Sequence, residues 1–169
     1  MPTHRHLPIA IALFLAPAFT VGPASAQQLP AAIDAPGMTK IVTLYAIGAQ
    51  IFECKAGNDG KLAWAGREPI AALTLDGKTV GRHYAGPSWE HTDGSIVVGK
   101  AVGNAPGKSP NDAAWLKLEV TSHKGDGILS PATIIQRVNT QGGGLSGNCD
   151  KAGDLKSVAY TTDYIFLKK

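Results

Sequence analysis

Residues able to do chemistry are densest between His83 and His91. With Glu90, these two histidines supply two imidazoles and a carboxylate, a donor set that zinc or copper accepts. His83 and Glu90 also offer a base and an acid, so a small enzyme, of hydrolase type, is one hypothesis. Glu90 and His91 are adjacent, however, and adjacent residues of a strand point to opposite faces. We therefore predict no bound metal and no cofactor, and catalytic residues stay unassigned.

Tyr84 and Trp89 flank the Gly86-Pro87 dipeptide. Aromatic rings beside such a bend suit stacking on a sugar or another flat ligand, and their polar tips suit the wall of a cleft. Aromatic residues at this kind of position also cover the end of a barrel. Both interpretations stay open. In the first, the segment forms a recognition surface for a glycan or an envelope protein.

Arg137 is the basic residue nearest the glycine-rich run 142–144. Backbone N–H groups of such a run can form a nest for anions, and Arg137 would add a positive charge. The alternative is an ion pair between Arg137 and Asp163 or Glu53. Nucleotide-binding glycine loops open onto a helix within a βαβ unit, and no helical pattern follows here. We keep Arg137 as a candidate ligand-binding residue and exclude a phosphate loop.

The charge balance excludes one class of partner. The chain has 16 Lys and Arg against 13 Asp and Glu, a formal net charge of +3. The basic residues are scattered, and aromatic residues do not alternate with them as a base-stacking groove requires. We predict no nucleic acid partner.

The elements that must position these residues are short strands. From Lys40 onward, apolar stretches recur about every ten residues between turn-forming residues, and the chain has 20 Gly and 11 Pro. Helical periodicity is absent from this part of the sequence. The pattern predicts a single all-β domain over 40–169, an antiparallel β-barrel or sandwich of about eight to ten strands.

Individual strands can be read from alternation. Gln50, Phe52 and Cys54 share one face, and a run that is apolar on both faces, 41–47, ends at Gly48. The clearest last strand carries Val158, Tyr160, Tyr164 and Phe166 on one face. Two dipeptides predict tight hairpins, Asp76-Gly77 and Asp93-Gly94. The predicted pairs are Leu75 with Lys78, Leu73 with Val80, His91 with Ile96, Glu90 with Val97, and Trp89 with Val98.

The N-terminus has the pattern of a Sec-type signal peptide over residues 1–26. Arg5 precedes an apolar run, and Ala24-Ser25-Ala26 fits the cleavage site. The run is interrupted by prolines and shorter than the roughly 20 residues that span a bilayer. We predict export to the periplasm or the extracellular space, no membrane span after cleavage, and an exposed leader segment over 27–39.

Cys54 and Cys149 are the only two cysteines. In an oxidising compartment an isolated pair normally forms a disulfide, and these two lack the C-x-x-C spacing of a redox pair. We predict a structural bridge. Closing so long a loop stabilises a fold by up to about 4.7 kcal/mol in the chain-entropy model.

Four segments together resemble the secreted proteins grouped as domain of unknown function family 3455. They are Gly48–Cys54, His83–Glu90, Ile135–Gly143 and Tyr160–Phe166. The resemblance covers nearly the whole mature chain. It supports the disulfide interpretation and implies no activity. Our expectation is therefore a non-enzymatic binding or envelope-associated module, with His83, Tyr84, Trp89, Glu90 and Arg137 as candidate contacts; the alternatives are the small enzyme or a metal-binding protein.

Overall fold

The structure is a computed structural model that describes Met1 and residues 28–169. The predicted signal peptide and its cleavage site lie outside the described residues. Within the described part of the chain, no helix has the length and apolar character needed to cross a membrane.

Within residues 28–169, eight antiparallel strands form one closed barrel, each strand pairing with its neighbours in chain order and β8 closing onto β1. The all-β prediction is confirmed, and the barrel alternative is the one observed. The strands are β1 (Thr39–Ala56), β2 (Leu62–Leu75), β3 (Lys78–Tyr84), β4 (Ser88–His91), β5 (Ile96–Ala105), β6 (Trp115–Lys124), β7 (Ile134–Gly142) and β8 (Leu155–Lys168).

The long strand β1 runs straight through Gly48, so the predicted end at this glycine is wrong. A Cβ on Gly48 would collide with the backbone of Ile70 and Ala71 on β2. Gly48 therefore allows close strand approach rather than a break. The run 41–47 is also not buried on both faces, because Tyr45 and Ile47 are exposed on the outside.

Alternation along each strand fills the barrel with apolar side chains. Tyr160, Tyr164 and Phe166 of β8 are buried, as predicted from their spacing. The interior cluster consists of Val42, Leu44, Ala46, Ala71, Leu73, Trp89, Val97, Leu118, Leu129, Ala132, Ile135, Tyr160, Tyr164 and Phe166. An eight-stranded barrel is just wide enough for side chains to fill or for one small ligand to occupy.

A second, smaller cluster lies outside the barrel wall. Ile33 is fully buried there against Ala105, Trp115 and Val138. The backbone carbonyl of Ile33 accepts a hydrogen bond of 2.7 Å from Gln136 Nε2. The segment 28–38 is thus a strap across the outer face of β5, β6 and β7, and the expectation of a merely exposed leader fails at Ile33.

The Cys54–Cys149 disulfide is present, as predicted. It fixes the loop between β7 and β8 to the β1–β2 hairpin. Backbone hydrogen bonds accompany it, from Trp64 N to Gly147 O and from Cys149 N to Leu62 O. The same end of the barrel holds the β3–β4 turn, where the Gly86–Pro87 peptide is cis.

The first predicted hairpin register holds only next to its turn, and the second is shifted throughout. At Asp76-Gly77, Leu75 pairs with Lys78 as expected, but a bulge after Leu73 pairs that residue with Gly81. At Asp93-Gly94, Trp89 pairs with Val97 and Glu90 with Ile96. The physical reason for the second shift is the Asp93 carboxylate, which accepts hydrogen bonds from the backbone N–H and the hydroxyl of Ser95. These bonds hold a loop longer than the predicted two residues.

Candidate functional site

Strand register brings the polar candidates to the inside of the barrel at one level. His83 of β3 lies directly opposite Trp89 of β4. Arg137 of β7 lies directly opposite Tyr164 of β8 and Leu116 of β6. Residues paired across an antiparallel sheet point to the same face, so these side chains share the interior.

They line a cavity of about 190 Å³. Its apolar walls are supplied by Pro69, Pro87, Trp89, Leu116 and Leu118, and its polar lining by Gln50, His83, Arg137 and Tyr164. The cavity is larger than the roughly 150 Å³ in which an apolar site holds benzene, and smaller than the roughly 300 Å³ at which drug-sized sites begin.

The rim of the cavity lies where β2 extends beyond the end of its pairing with β3. Pairing of these strands stops at Ala71 and His83, and within the described chain residues 62–70 of β2 pair with no strand other than β1. Arg67 and Glu68 stand at this rim with side chains 46% and 31% exposed, and they form an ion pair of 3.2 Å with each other. The charges at the rim therefore largely cancel.

His83 is almost completely buried, with 3% of its surface exposed. Its Nδ1 lies 2.8 Å from the Ser88 carbonyl oxygen. A carbonyl only accepts, so Nδ1 carries the proton and Nε2 keeps its lone pair. Burial lowers the pKa of His83 to about 4, and the ring is neutral at neutral pH.

Trp89 stacks on His83 with ring centroids 4.4 Å apart. Only 1% of Trp89 is exposed, so its indole lies in the interior and does not share a surface with Tyr84. The register shift is the reason, since pairing with Val97 turns its indole into the core. Its Nε1 is buried and has no hydrogen-bond partner among the described residues.

Arg137 does not form either ion pair considered from the sequence. Its Nε and Nη2 both donate to the Ala114 carbonyl oxygen, at 3.0 and 2.7 Å. Asp163, on the outer face, accepts instead from Asn139, and Glu53 pairs with Lys55 and Arg67. Within the described chain, the Arg137 guanidinium has no carboxylate partner, and the Tyr164 hydroxyl is a further polar neighbour of it.

Two tyrosines and a glutamine complete the interior polar group. The hydroxyls of Tyr160 and Tyr164 lie 3.4 Å apart. Burial raises the pKa of Tyr164 well above its usual value, so this phenol stays neutral beside Arg137. Gln50 Nε2 is buried without a hydrogen-bond partner among the described residues. A buried polar atom without a partner costs free energy unless something else supplies one.

Tyr84 and Glu90 lie on the outer face of the same hairpin. Arg82 donates from Nε and Nη2 to Glu90 Oε2, at 3.0 and 2.7 Å, and the Tyr84 hydroxyl donates to the same oxygen at 3.1 Å. The hydrogen bond from Arg82 lowers the pKa of Glu90. Glu90 is thus an ionised, paired carboxylate on the opposite side of the wall from His83, and the proposed His83–Glu90 acid–base pair does not form.

The three-ligand metal hypothesis also fails on position. His83 is inside the barrel, Glu90 is outside, and His91 Nδ1 lies 3.0 Å from the Asp93 carboxylate in the β4–β5 turn. Among residues 28–169, no group of three His, Cys, Asp or Glu side chains could hold a metal ion.

Of the five candidate contacts, the structure brings His83, Trp89 and Arg137 together and separates Tyr84 and Glu90 from them. Sequence reasoning missed Gln50, Tyr164 and Leu118 as cavity residues. Gln50 and Tyr164 were assigned to predicted strand faces, but nothing in one sequence said which faces meet around a space. That requires the order in which strands close the barrel.

Comparison with known proteins agrees with the resemblance. Residues 35–168 match the family described as "Protein of unknown function (DUF3455)", which confirms the expectation drawn from the four motifs. No curated protein and no solved structure matches the chain.

Proposed function

The chain belongs to the DUF3455 family, and we propose that it is an exported binding protein that holds one small molecule inside its barrel. The observation that carries this proposal is the unsatisfied polar capacity of the cavity. The same small space is lined by Arg137, which has no counter-ion in the described chain, by His83, and by two residues with buried unpaired N–H donors, Gln50 and Trp89. A ligand would supply the partners that the described residues do not.

Two further observations support the proposal. Most of the lining lies on paired strands rather than on loops, so the site is held rigidly before any ligand binds. The disulfide fixes the loops at the same end of the barrel. Each feature reduces the ordering cost of binding.

Export is part of the proposal. The signal-peptide pattern over 1–26 and the disulfide between the only two cysteines support a periplasmic or extracellular location. The intact mass of protein recovered from outside the cytoplasm, with and without reduction, tests this. A mature form that begins at Gln27 with no alkylatable thiol is expected, and a retained N-terminus would contradict it.

Binding is tested with a library of fragments of about benzene size, screened by ligand-observed NMR. Gly66 provides a blocking variant. It lines the cavity, its φ is not in the left-handed region, and a Cβ added there meets nothing within 4 Å. Gly66→Leu should therefore occupy the cavity without disturbing the barrel. We expect it to remove the signals of bound fragments.

The matched control is Glu90→Gln, which alters the outer face of the barrel near the same level. It should leave fragment binding unchanged. Fragments that bind equally to Gly66→Leu and lose affinity in Glu90→Gln would place recognition on the outer surface and reject the proposal.

A second candidate function is acid–base catalysis at His83 alone. The free Nε2 of the neutral ring beside the Arg137 charge favours it; since a pKa of about 4 makes this ring a weak base, it suits only carbon acids whose carboxylate or carbonyl the Arg137 charge stabilises. The proton would move from substrate carbon to Nε2 and be replaced from solvent. The test is deuterium incorporation from D₂O into a bound fragment, which should be lost in His83→Phe. Exchange that is no faster with the protein than without it would reject this candidate function.

A further inference from the structure

The cavity has a definite charge. Its rim residues Arg67 and Glu68 neutralise each other, and Tyr164 is a neutral phenol. The remaining charged lining residue is Arg137, which has no carboxylate partner in the described chain. The site therefore carries a net positive charge at one point of a largely apolar wall, on a residue that is half-buried.

The geometry of Arg137 suits a carboxylate. The Ala114 carbonyl takes two of its N–H groups and fixes the plane of the guanidinium. A planar guanidinium is the usual partner of a planar carboxylate. Gln50 Nε2 adds a further buried donor that lacks an acceptor.

His83 requires the opposite type of group. Its Nδ1 proton is used by the Ser88 carbonyl, so Nε2 offers an acceptor. A ligand that satisfies this atom must bring a hydrogen-bond donor, such as a hydroxyl. Trp89, Leu116 and Leu118 lie around these groups and favour an apolar or aromatic body.

We propose that the ligand is a small ring-bearing monocarboxylic acid with a hydroxyl group, its carboxylate on Arg137 and its hydroxyl donating to His83. The volume of about 190 Å³ accommodates one ring with two small substituents. This inference rests on the proposed function, because it specifies the chemistry of the same cavity.

The test uses three commercial rings of nearly equal size: 4-hydroxybenzoate, benzoate and benzamide. Dissociation constants are measured by isothermal titration calorimetry on the wild-type mature protein and on three variants, Arg137→Gln, His83→Phe and Gly66→Leu. The wild type should bind benzoate at least about tenfold more tightly than neutral benzamide, the size expected for hydrogen bonds to a charged group. 4-Hydroxybenzoate should bind more tightly than benzoate, by a smaller factor.

In Arg137→Gln the preference for benzoate over benzamide should disappear while benzamide binding persists. His83→Phe should remove the gain from the hydroxyl and leave the benzoate–benzamide ratio unchanged. Each variant should thus change one ligand preference and leave the other unchanged. A merely structural role of either residue would not produce this result.

Two results separate this inference from the proposed function. If benzamide and benzoate bind equally and Gly66→Leu blocks both, the cavity is a binding site but the carboxylate assignment is wrong. If none of the three rings binds the wild type, the assignment is likewise overturned. In that case the fragment screen decides by itself whether the cavity binds anything.

Discussion

The two faces of the β3–β4 hairpin carry neighbouring residues with different roles. Arg82 opposite Glu90 faces outward, and His83 opposite Trp89 faces inward. The outer pair satisfies itself through two charged hydrogen bonds in reach of solvent. The inner pair is buried and leaves an imidazole lone pair and an indole N–H without partners in the described chain. Adjacent positions of the two strands thus carry an ion pair that needs no further partner, Arg82 with Glu90, and a buried pair that can still bind one, His83 with Trp89.

Of the substitutions that test this contrast, Trp89→Ala should have the largest effect on stability. Removing a fully buried tryptophan leaves a cavity, and the free energy of unfolding should fall by about 3–5 kcal/mol. Urea denaturation followed by far-UV circular dichroism measures it. The matched control is Trp64→Ala, because Trp64 is only partly buried and lies under Lys156. A loss at Trp89 no larger than at Trp64 would contradict the inward position.

The next test is the pH dependence of stability. Burial lowers the pKa of His83 to about 4 in the folded protein, against about 6.5 unfolded. The unfolded chain therefore binds more protons between these values. The contribution of the neutral His83 ring to the free energy of unfolding is therefore complete above pH 6.5 and is lost as the pH falls to about 4. Below that pH no further loss is expected from this residue.

The lost contribution is about 3 kcal/mol, since each pKa unit corresponds to 1.36 kcal/mol. His83→Phe keeps a ring against Trp89 and removes the titration. The wild type should lose about this much more stability than His83→Phe between pH 7 and pH 4. Parallel curves for the two proteins would show that His83 is not buried as a neutral ring.

A smaller effect is expected from Ile33→Ala, which tests the apolar part of the outer face. Ile33 is fully buried, but in a thin strap outside the barrel. We expect a loss of about 2 kcal/mol, the low end for an aliphatic residue cut to alanine. Ile47→Ala is the control, because Ile47 is 52% exposed on the outer face. Equal effects of the two changes would mean that the strap is not docked.

The smallest effect belongs to Glu90→Gln. The ion pair with Arg82 lies on the outer surface, where solvent screening leaves little net stabilisation. The urea midpoint should change no more than for other surface substitutions. The shift should be smaller still at high salt, which screens the wild-type pair. A loss comparable to that of Trp89→Ala would remove the distinction between the two faces.

Much of the fold could be predicted from local patterns. Alternation identified the buried face of β8 through Tyr160, Tyr164 and Phe166, and the lone cysteine pair identified the disulfide. These features depend on a few neighbouring residues or on the redox compartment. They are insensitive to small errors of register.

The site depended on register, and there the sequence was insufficient. Asp93-Gly94 has the composition of a two-residue turn, yet the Asp93 side chain holds a longer loop through Ser95. That shift of one position decides whether Trp89 stands against Val98 or Val97. The cavity also requires the gap where β2 outruns β3, which no local pattern encodes.

The central claim is that the barrel interior is the binding site, and the indole N–H resonances of the ¹⁵N-labelled protein test it most directly. The chain has three tryptophans. Trp89 lines the cavity, whereas Trp115 is buried in the outer cluster. At saturation with the tightest-binding fragment, the Trp89 indole signal should shift and the Trp115 signal should not. A saturated complex that shifts Trp115, or leaves Trp89 unchanged, would contradict the account.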